Sequence, residues 1–170
     1  RVSKLAASVV IPARDAEDTI GPAVAALRGQ TDARGRPVEI LVVDDGSVDR
    51  TAEVAQAAGA RVIRAKGEGP ARARNLGVAQ AAADEIEFTA ADSRATPGVI
   101  AALLQPLDQP GVAGAKGAYW SEQTELTARF VQQEYEQRYR RMSTRASIDF
   151  IDTYAAVYRR SWLERVGGFD

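Results

Sequence analysis

The sequence predicts an α/β domain with a mainly parallel sheet and helices on both faces. Three observations carry this. Short apolar runs rich in β-branched residues read as buried strands. They alternate four times with segments of helical periodicity, the order that builds a parallel sheet with crossover helices. The residues with the most chemistry in them stand at the carboxyl ends of those strands, where such sheets bind their ligands.

The elements follow in order. Leu5 to Ile11 is the first strand, stopped by Pro12, and Ala16 to Leu27 carries Ile20, Val24 and Leu27 at helical spacing. Thr31 to Pro37 is polar and turn-rich. Val38 to Val43 is the second strand, running into Asp44-Asp45-Gly46-Ser47. Ser47 or Asp49 suits the N-cap of a helix reaching about Ala58. Arg61 to Arg64 is a third strand, and Pro70 fits the first turn of a helix reaching about Ala83. Ile86 to Thr89 is the fourth strand, followed by a turn over Ala90 to Pro97 and a helix to about Leu107. Beyond it, Val112 to Trp120 suggests one or two short strands and Thr124 to Met142 a long amphipathic helix. The stripe Leu126, Phe130, Tyr135, Tyr139 and Met142 on that helix reads as core packing. Ile148 to Tyr158 reads as a strand, and Ser161 to Val166 as a short helix before Gly167-Gly168. Residues 1–170 are expected to form one domain.

The composition narrows the chemistry. The 170 residues are 45% hydrophobic and 26% charged, enough apolar content for a real core. A net charge of −1 gives no sign of a general nucleic-acid binder. Cysteine is absent, which removes disulfides and thiolate chemistry and fits a reducing, cytoplasmic compartment. Histidine is absent too, so acid–base or metal chemistry falls to Asp and Glu, with Lys, Arg or Tyr in support. No apolar run has the length of a membrane span. The basic cluster Arg138, Arg140, Arg141 and Arg145 reads as a solvated face, with contact to an anionic membrane surface as the rival reading.

Asp44-Asp45-Gly46-Ser47 is the clearest motif. Adjacent carboxylates at a strand end repel each other and call for hydrogen-bond donors or a ligand. A ribose diol or a base N–H would serve; so would a plain turn in which Asp caps the helix and Gly supplies the bend. The context enlarges the motif. Ser8 to Glu17 precedes it, Glu39 to Thr51 contains it, Gly69-Pro70-Ala71-Arg72-Ala73-Arg74-Asn75-Leu76-Gly77 follows, and Phe88-Thr89-Ala90-Ala91-Asp92-Ser93 and Gly167-Gly168-Phe169-Asp170 come later. In this order and spacing the segments resemble the family 2 glycosyltransferases, which transfer a sugar from a nucleoside diphosphate donor on a Rossmann-like sheet known as the GT-A fold.

The resemblance implies roles. It divides the chain into a nucleotide-sugar-binding half, residues 1–110, and an acceptor-side half, residues 111–170. Pro12, Ala13, Arg14 and Asp15 lie where relatives approach the base; an aromatic residue is common where Arg14 stands, and a guanidinium plane can stack there instead. Asp44 and Asp45 match the pair that contacts base and ribose. Arg74 matches a basic position facing the donor, and Lys66 and the helix N-terminus after Gly69 add favourable potential for a diphosphate. Ala91 and Asp92 fall in the Asp-x-Asp position, whose carboxylates hold magnesium or manganese against the donor phosphates. Here Ala90 replaces the first carboxylate, leaving Asp92 as the metal ligand and a weakened site. Ala90 reads either as an engineered change or as a natural mark of a weak or inactive enzyme. Asp152 lies in the acceptor region and is an acceptor-side candidate, with a structural Asp at a strand end as the stronger reading, and the general base is expected beyond Asp170. The acceptor reads as a polysaccharide or a lipid-linked molecule, at the inner membrane surface if the basic helix touches lipid. Two rivals remain: a catalytically degenerate module kept for binding or assembly, and a dinucleotide-dependent oxidoreductase. The latter requires Gly-x-Gly-x-x-Gly after the first strand, where this chain has Pro12-Ala13-Arg14-Asp15.

Overall fold

A computed structural model describes residues 4–145, 147–148 and 151–170. Its elements are β1 Ser8–Ala13, α1 Ile20–Leu27, β2 Glu39–Asp44, α2 Thr51–Ala57, β3 Arg61–Arg64, α3 Pro70–Gln80, β4 Glu85–Phe88, α4 Val99–Leu104, β5 Gly114–Lys116, α5 Leu126–Ser143, β6 Ala156–Arg159 and α6 Arg160–Val166. A 3-10 turn, Gln105–Asp108, extends α4. The strands form one sheet in the order β3-β2-β1-β4-β6-β5. The first four run parallel, β6 is antiparallel to β4, and β5 is antiparallel to β6. The expected α/β architecture is therefore present.

The core lies on both faces of this sheet. Strand side chains alternate between faces. Val9, Ile11 and Val42 point to one side and pack with Ile20, Val24 and Leu27 of α1, Ala55 of α2 and Ile100 of α4. Val10, Leu41, Val43, Ile86 and Phe88 point to the other, against Ala73 of α3 and Leu163 of α6. A Cβ built on Gly77 would sit 2.3 Å from Val10 Cγ1, so α3 rests almost directly on β1. That approach seats the start of α3 over the carboxyl end of the central strands.

The boundaries differ from the sequence reading for local reasons. Strand β1 continues through Pro12. Val10 O accepts from Thr89 N and Ala13 O from Asp45 N, so Pro12 faces the β4 side, where pairing has already ended at Val10↔Phe88. Its missing N–H therefore costs no ladder bond. Helix α1 starts at Ile20 rather than Ala16; in the turn before it the Ala16 and Glu17 amides donate to Thr51 Oγ1 and Asp49 Oδ2, tying this loop to the start of α2. Helix α3 stops at Gln80 rather than Ala83, since Ala82 N and Ala83 N donate to Ser8 Oγ. The carbonyls of Val78, Ala81 and Ala83 are taken by the Arg160 guanidinium. The expected strand over Ile148 to Tyr158 is Ala156–Arg159; residues 149 and 150 of that reading lie outside the described residues.

The stripe on α5 is not core. No described residue of this helix is buried, and Leu126 and Phe130 are 84% and 64% exposed. Only the tyrosines find partners: the Tyr135 and Tyr139 rings lie 5.0 and 6.0 Å from that of Tyr119. The two sheet faces are already covered by α1 to α4 and α6, so the helical period meets no apolar layer among the described residues. None of the described helices is long and apolar enough to cross a membrane.

Glu87 is a core residue whose chemistry contradicts its surroundings. It sits at the middle of β4 beside Val9 and Val157, 4% exposed, with Oε2 lacking a hydrogen-bond partner. Burial raises its pKa from 4.5 to about 8. The acid is thus neutral in the folded chain at pH 7 and ionised in the unfolded one. Its contribution to stability is intact below pH 4.5 and is lost as pH rises to about 8. At about 1.4 kcal/mol per pH unit, the loss approaches 4 kcal/mol between pH 5 and 8. Glu87→Gln keeps the neutral shape and removes the titration. Urea unfolding at several pH values should show the variant gaining on the parent across this window, with parallel curves as the contrary result.

Candidate functional site at the carboxyl edge of the sheet

The topology gathers distant loops. The carboxyl ends of β1, β2, β3 and β4 share one edge, and because β6 runs antiparallel its amino end joins them. Gly117 N donates to Ala155 O at 2.8 Å, closing β5 and β6 on the same edge. The only two described non-glycine residues with positive φ, Asp15 (48°) and Ala155 (44°), both stand here. Such backbone costs on the order of 1 kcal/mol or more per residue and persists where surrounding structure imposes it.

The loops after β1 and β2 are stitched together. Asp15 N donates to Ser47 Oγ at 3.0 Å, and Val48 N donates back to Asp15 Oδ1 at 2.8 Å. Asp49 holds the entry to α2 through Thr51 N at 2.9 Å. Ser47 is therefore a cross-loop acceptor and not the helix cap, while Asp49 makes the local turn bond. Arg14 is exposed and reaches Asp15 only loosely, at 3.8 Å.

The acidic pair is buried and partly satisfied by the chain. Asp45 accepts from Glu68 N at 3.0 Å and from Gly69 N at 2.8 Å, one bond to each carboxylate oxygen. Asp44 accepts from Ser47 N at 3.1 Å and faces Arg64 at 3.8 Å. The turn reading is the one visible here: the pair shapes the turn, and each carboxylate oxygen has further lone-pair capacity. The Asp45 bonds pin the Gly67-Glu68-Gly69 loop, whose glycines have φ of 77° and 98°. At Gly46 an added Cβ would stand 3.2 Å from Gly67 N. Lys66 is exposed beside this loop.

Arg74 stands on the first half of α3. It is half-buried, and its Nε is enclosed without a hydrogen-bond partner. Burial lowers its pKa, with the Tyr154 and Tyr158 phenols close enough to oppose the shift. Its neighbour Asn75 explains the Gly-Gly-Phe-Asp segment: Asn75 Nδ2 donates to Phe169 O at 2.8 Å and Phe169 N donates to Asn75 Oδ1 at 2.9 Å. An added Cβ on Gly168 would fall 2.6 Å from that amide oxygen. Phe169 also meets Phe88 edge-on at 5.2 Å. A cavity of about 470 Å³ results, lined by Asp45, Glu68, Arg72, Asn75, Phe169 and Asp170. The sequence alone assigns Asn75 no role; its signal is its place next to Arg74 in the Gly69 to Gly77 segment.

The metal position is thin. Asp92 is exposed on the turn after β4, with Ala90 and Ala91 half-buried beside it. Among the described residues no group of three or more acidic side chains is placed to hold a cation. Asp92 alone fits a cation as one ligand of a shell completed by phosphates and water. Asp152, expected on the acceptor side, lies on the same edge, but its carboxylate is engaged in an ion pair with Lys116, and both are largely buried. Its backbone carbonyl accepts from Tyr158 OH at 2.7 Å.

Comparison with known proteins agrees with the fold. The mannosyltransferase of Pyrobaculum calidifontis, solved with GDP-Man and Mn2+, superposes with a TM-score of 0.78 over 100% of this chain and 50% of its own, at 18% identity. The glucosyl-3-phosphoglycerate synthase of Mycobacterium tuberculosis, solved with UDP, gives 0.64 over 92% of this chain and 57% of its own, at 28% identity. The succinoglycan biosynthesis protein ExoU of Rhizobium meliloti (strain 1021) is 37% identical over 102 residues, 56% of this chain and 29% of its own length. The chain thus spans under a third of that curated relative. The family model for glycosyl transferase family 2 matches residues 8–167. With the parallel sheet, its loop-lined edge and a match across nearly its whole length, the chain belongs to glycosyl transferase family 2 and has the GT-A fold.

Proposed function

We propose that the carboxyl edge binds a nucleoside diphosphate sugar, with uridine as the base, and that the whole protein transfers the sugar to an acceptor hydroxyl with inversion. The observation that carries this is Arg74: a half-buried cation with an enclosed, unpartnered Nε at the edge where the loops converge. A cation held out of water without a counter-ion is costly, and an anionic ligand offsets that cost. The diphosphate is placed against Arg74 and the amino end of α3, the base and ribose against Pro12 to Asp15 and the acidic pair. Uridine is supported by the relative solved with UDP. As the bond to the sugar breaks, Arg74 and the helix end would stabilise charge developing on the departing diphosphate. A divalent cation bound with the donor would be held by Asp92 and would share that charge stabilisation.

Ala90 favours a second reading, a domain that keeps the fold for binding while turnover has faded. One substitution separates the two. Under the enzymatic reading Ala90→Asp supplies the missing carboxylate, and calorimetry with UDP should show binding about tenfold tighter in Mn2+ than in EDTA. Donor hydrolysis should rise alongside. An unchanged affinity and no hydrolysis would favour the binding module. Preference for a nicotinamide dinucleotide over UDP by the parent chain would remove the donor reading altogether.

A further inference from the structure

We infer that helix α5 rests on an anionic lipid surface, its amino half entering the headgroup layer and its carboxyl half binding lipid phosphates, a contact independent of what the carboxyl edge of the sheet binds. The helix has two unlike sides. Ala128, Gln132, Tyr135, Tyr139 and Met142 recur at helical spacing, and they are the half-buried residues of α5. Tyr135 and Tyr139 hold the helix to the domain through the Tyr119 ring, and Ser121 N donates to Gln132 Oε1 at 2.8 Å. The opposite side is open to solvent and begins with Leu126 and Phe130. Val131 is also exposed, as is Trp120 at 68%, next to the residue that Gln132 holds.

Charge is concentrated on the same helix. Residues 126–145 hold five arginines and two glutamates, in a chain whose net charge is −1. Among the described residues none of Arg129, Arg140, Arg141 and Arg145 has an ion pair. Arg141 reaches only the Gln137 carbonyl of its own helix, at 3.4 Å. A hollow of about 400 Å³ runs along the last turns, lined by Arg138, Arg141 and Arg145 together with Glu134, Gln137 and Met142. Three guanidiniums against one carboxylate leave it cationic, and a guanidinium fork matches phosphate oxygens. The apolar end of the helix decides the class of partner. A nucleic acid would use the arginines but has no use for exposed Leu126 and Phe130. A helix lying in a headgroup layer uses both, with apolar side chains at the acyl boundary, arginines on anionic headgroups and tryptophan at the interface. So few apolar side chains bind only marginally by themselves, so the charge has to add to them.

The test is co-sedimentation of the chain with vesicles of phosphatidylcholine alone and with about a third phosphatidylglycerol added. The chain should bind the mixed vesicles, bind the neutral ones about tenfold more weakly, and leave the mixed ones in high salt. Arg141→Gln with Arg145→Gln should weaken binding about twentyfold, at about fivefold per arginine. Phe130→Ser should weaken it about tenfold by removing apolar contact. All three side chains are exposed, so melting temperatures should match the parent's. Tryptophan fluorescence should shift to the blue on mixed vesicles, and Trp120→Phe, which leaves Trp162, should abolish the shift. Folded variants that bind like the parent overturn the inference. So do equal binding to both kinds of vesicle, no binding to either, and an RNA duplex bound more tightly than the mixed vesicles. Self-association in sedimentation velocity that Phe130→Ser abolishes would give this face to a second copy and overturn it too. None of these readouts involves UDP, so failure here leaves the donor reading untouched.

Discussion

Arg74→Met is expected to weaken UDP binding about a hundredfold while raising the melting temperature of the unliganded protein. The two effects come from one cause. In the free chain the guanidinium is half out of water with Nε enclosed and unpaired, so burial works against its charge. Methionine keeps the aliphatic volume and removes that penalty, as replacing a poorly compensated buried charge often does. With the diphosphate bound, the same guanidinium supplies charge-assisted hydrogen bonds, and losing one such anchor costs about 3 kcal/mol, or two orders of magnitude. Calorimetry and differential scanning fluorimetry on the same preparation read both effects. Weaker binding with a lower melting temperature would make Arg74 an ordinary structural residue.

Asp45→Ala should cost stability and binding together. The carboxylate accepts the Glu68 and Gly69 amides, and truncation leaves both without their partner near a buried strand end. Hydrogen bonds to a charged group contribute about 1.5–3 kcal/mol each, so the expected loss is roughly 3–6 kcal/mol. Asn retains one oxygen but turns an NH2 group toward an amide N–H, so Asp45→Asn should fall between. Urea unfolding measures the loss, and hydrogen exchange at Glu68 and Gly69 locates it. Unchanged protection of those amides would show that the loop is held by something else. The loop with positive-φ Gly67 and Gly69 also stands at the amino end of α3, so its release would disorder the proposed diphosphate site.

Much of the sheet was legible because β1 and β2 carry continuous apolar runs and each turn after a strand changes composition. Arg61 to Arg64 was read to the residue, since turn residues bound it on both sides. Errors arose where partners distant in sequence decided the outcome. The turn before α1 is tied to Thr51 and Asp49, partners more than thirty residues away. The α5 stripe had the right period, but periodicity does not reveal whether an apolar layer waits opposite. Glu87, flanked by Ile86 and Phe88, gave no sign of its burial, because a strand pattern does not show which face is covered. In the site, the motif residues were readable as types, yet the Asp45 bonds to Glu68 and Gly69 and the Asn75 clamp on Phe169 span loops that only the fold brings together. Asp152, weighed by position as an acceptor residue against a structural Asp at a strand end, is engaged with Lys116, as the structural reading expects.

The central claim is that one edge of the sheet, centred on Arg74 and Asp45, receives a nucleoside diphosphate. Nitrogen-15 NMR titration of the chain with UDP reads it directly, because both the backbone amides and the Arg74 Nε–H are visible. The account predicts the largest shifts at Arg74 Nε–H, at Ala13 to Asp15 and at Gly67 to Gly69. Shifts confined to the opposite edge, around Arg36, Glu85 and Arg159, or an unmoved Arg74 Nε–H at saturating UDP, would contradict it.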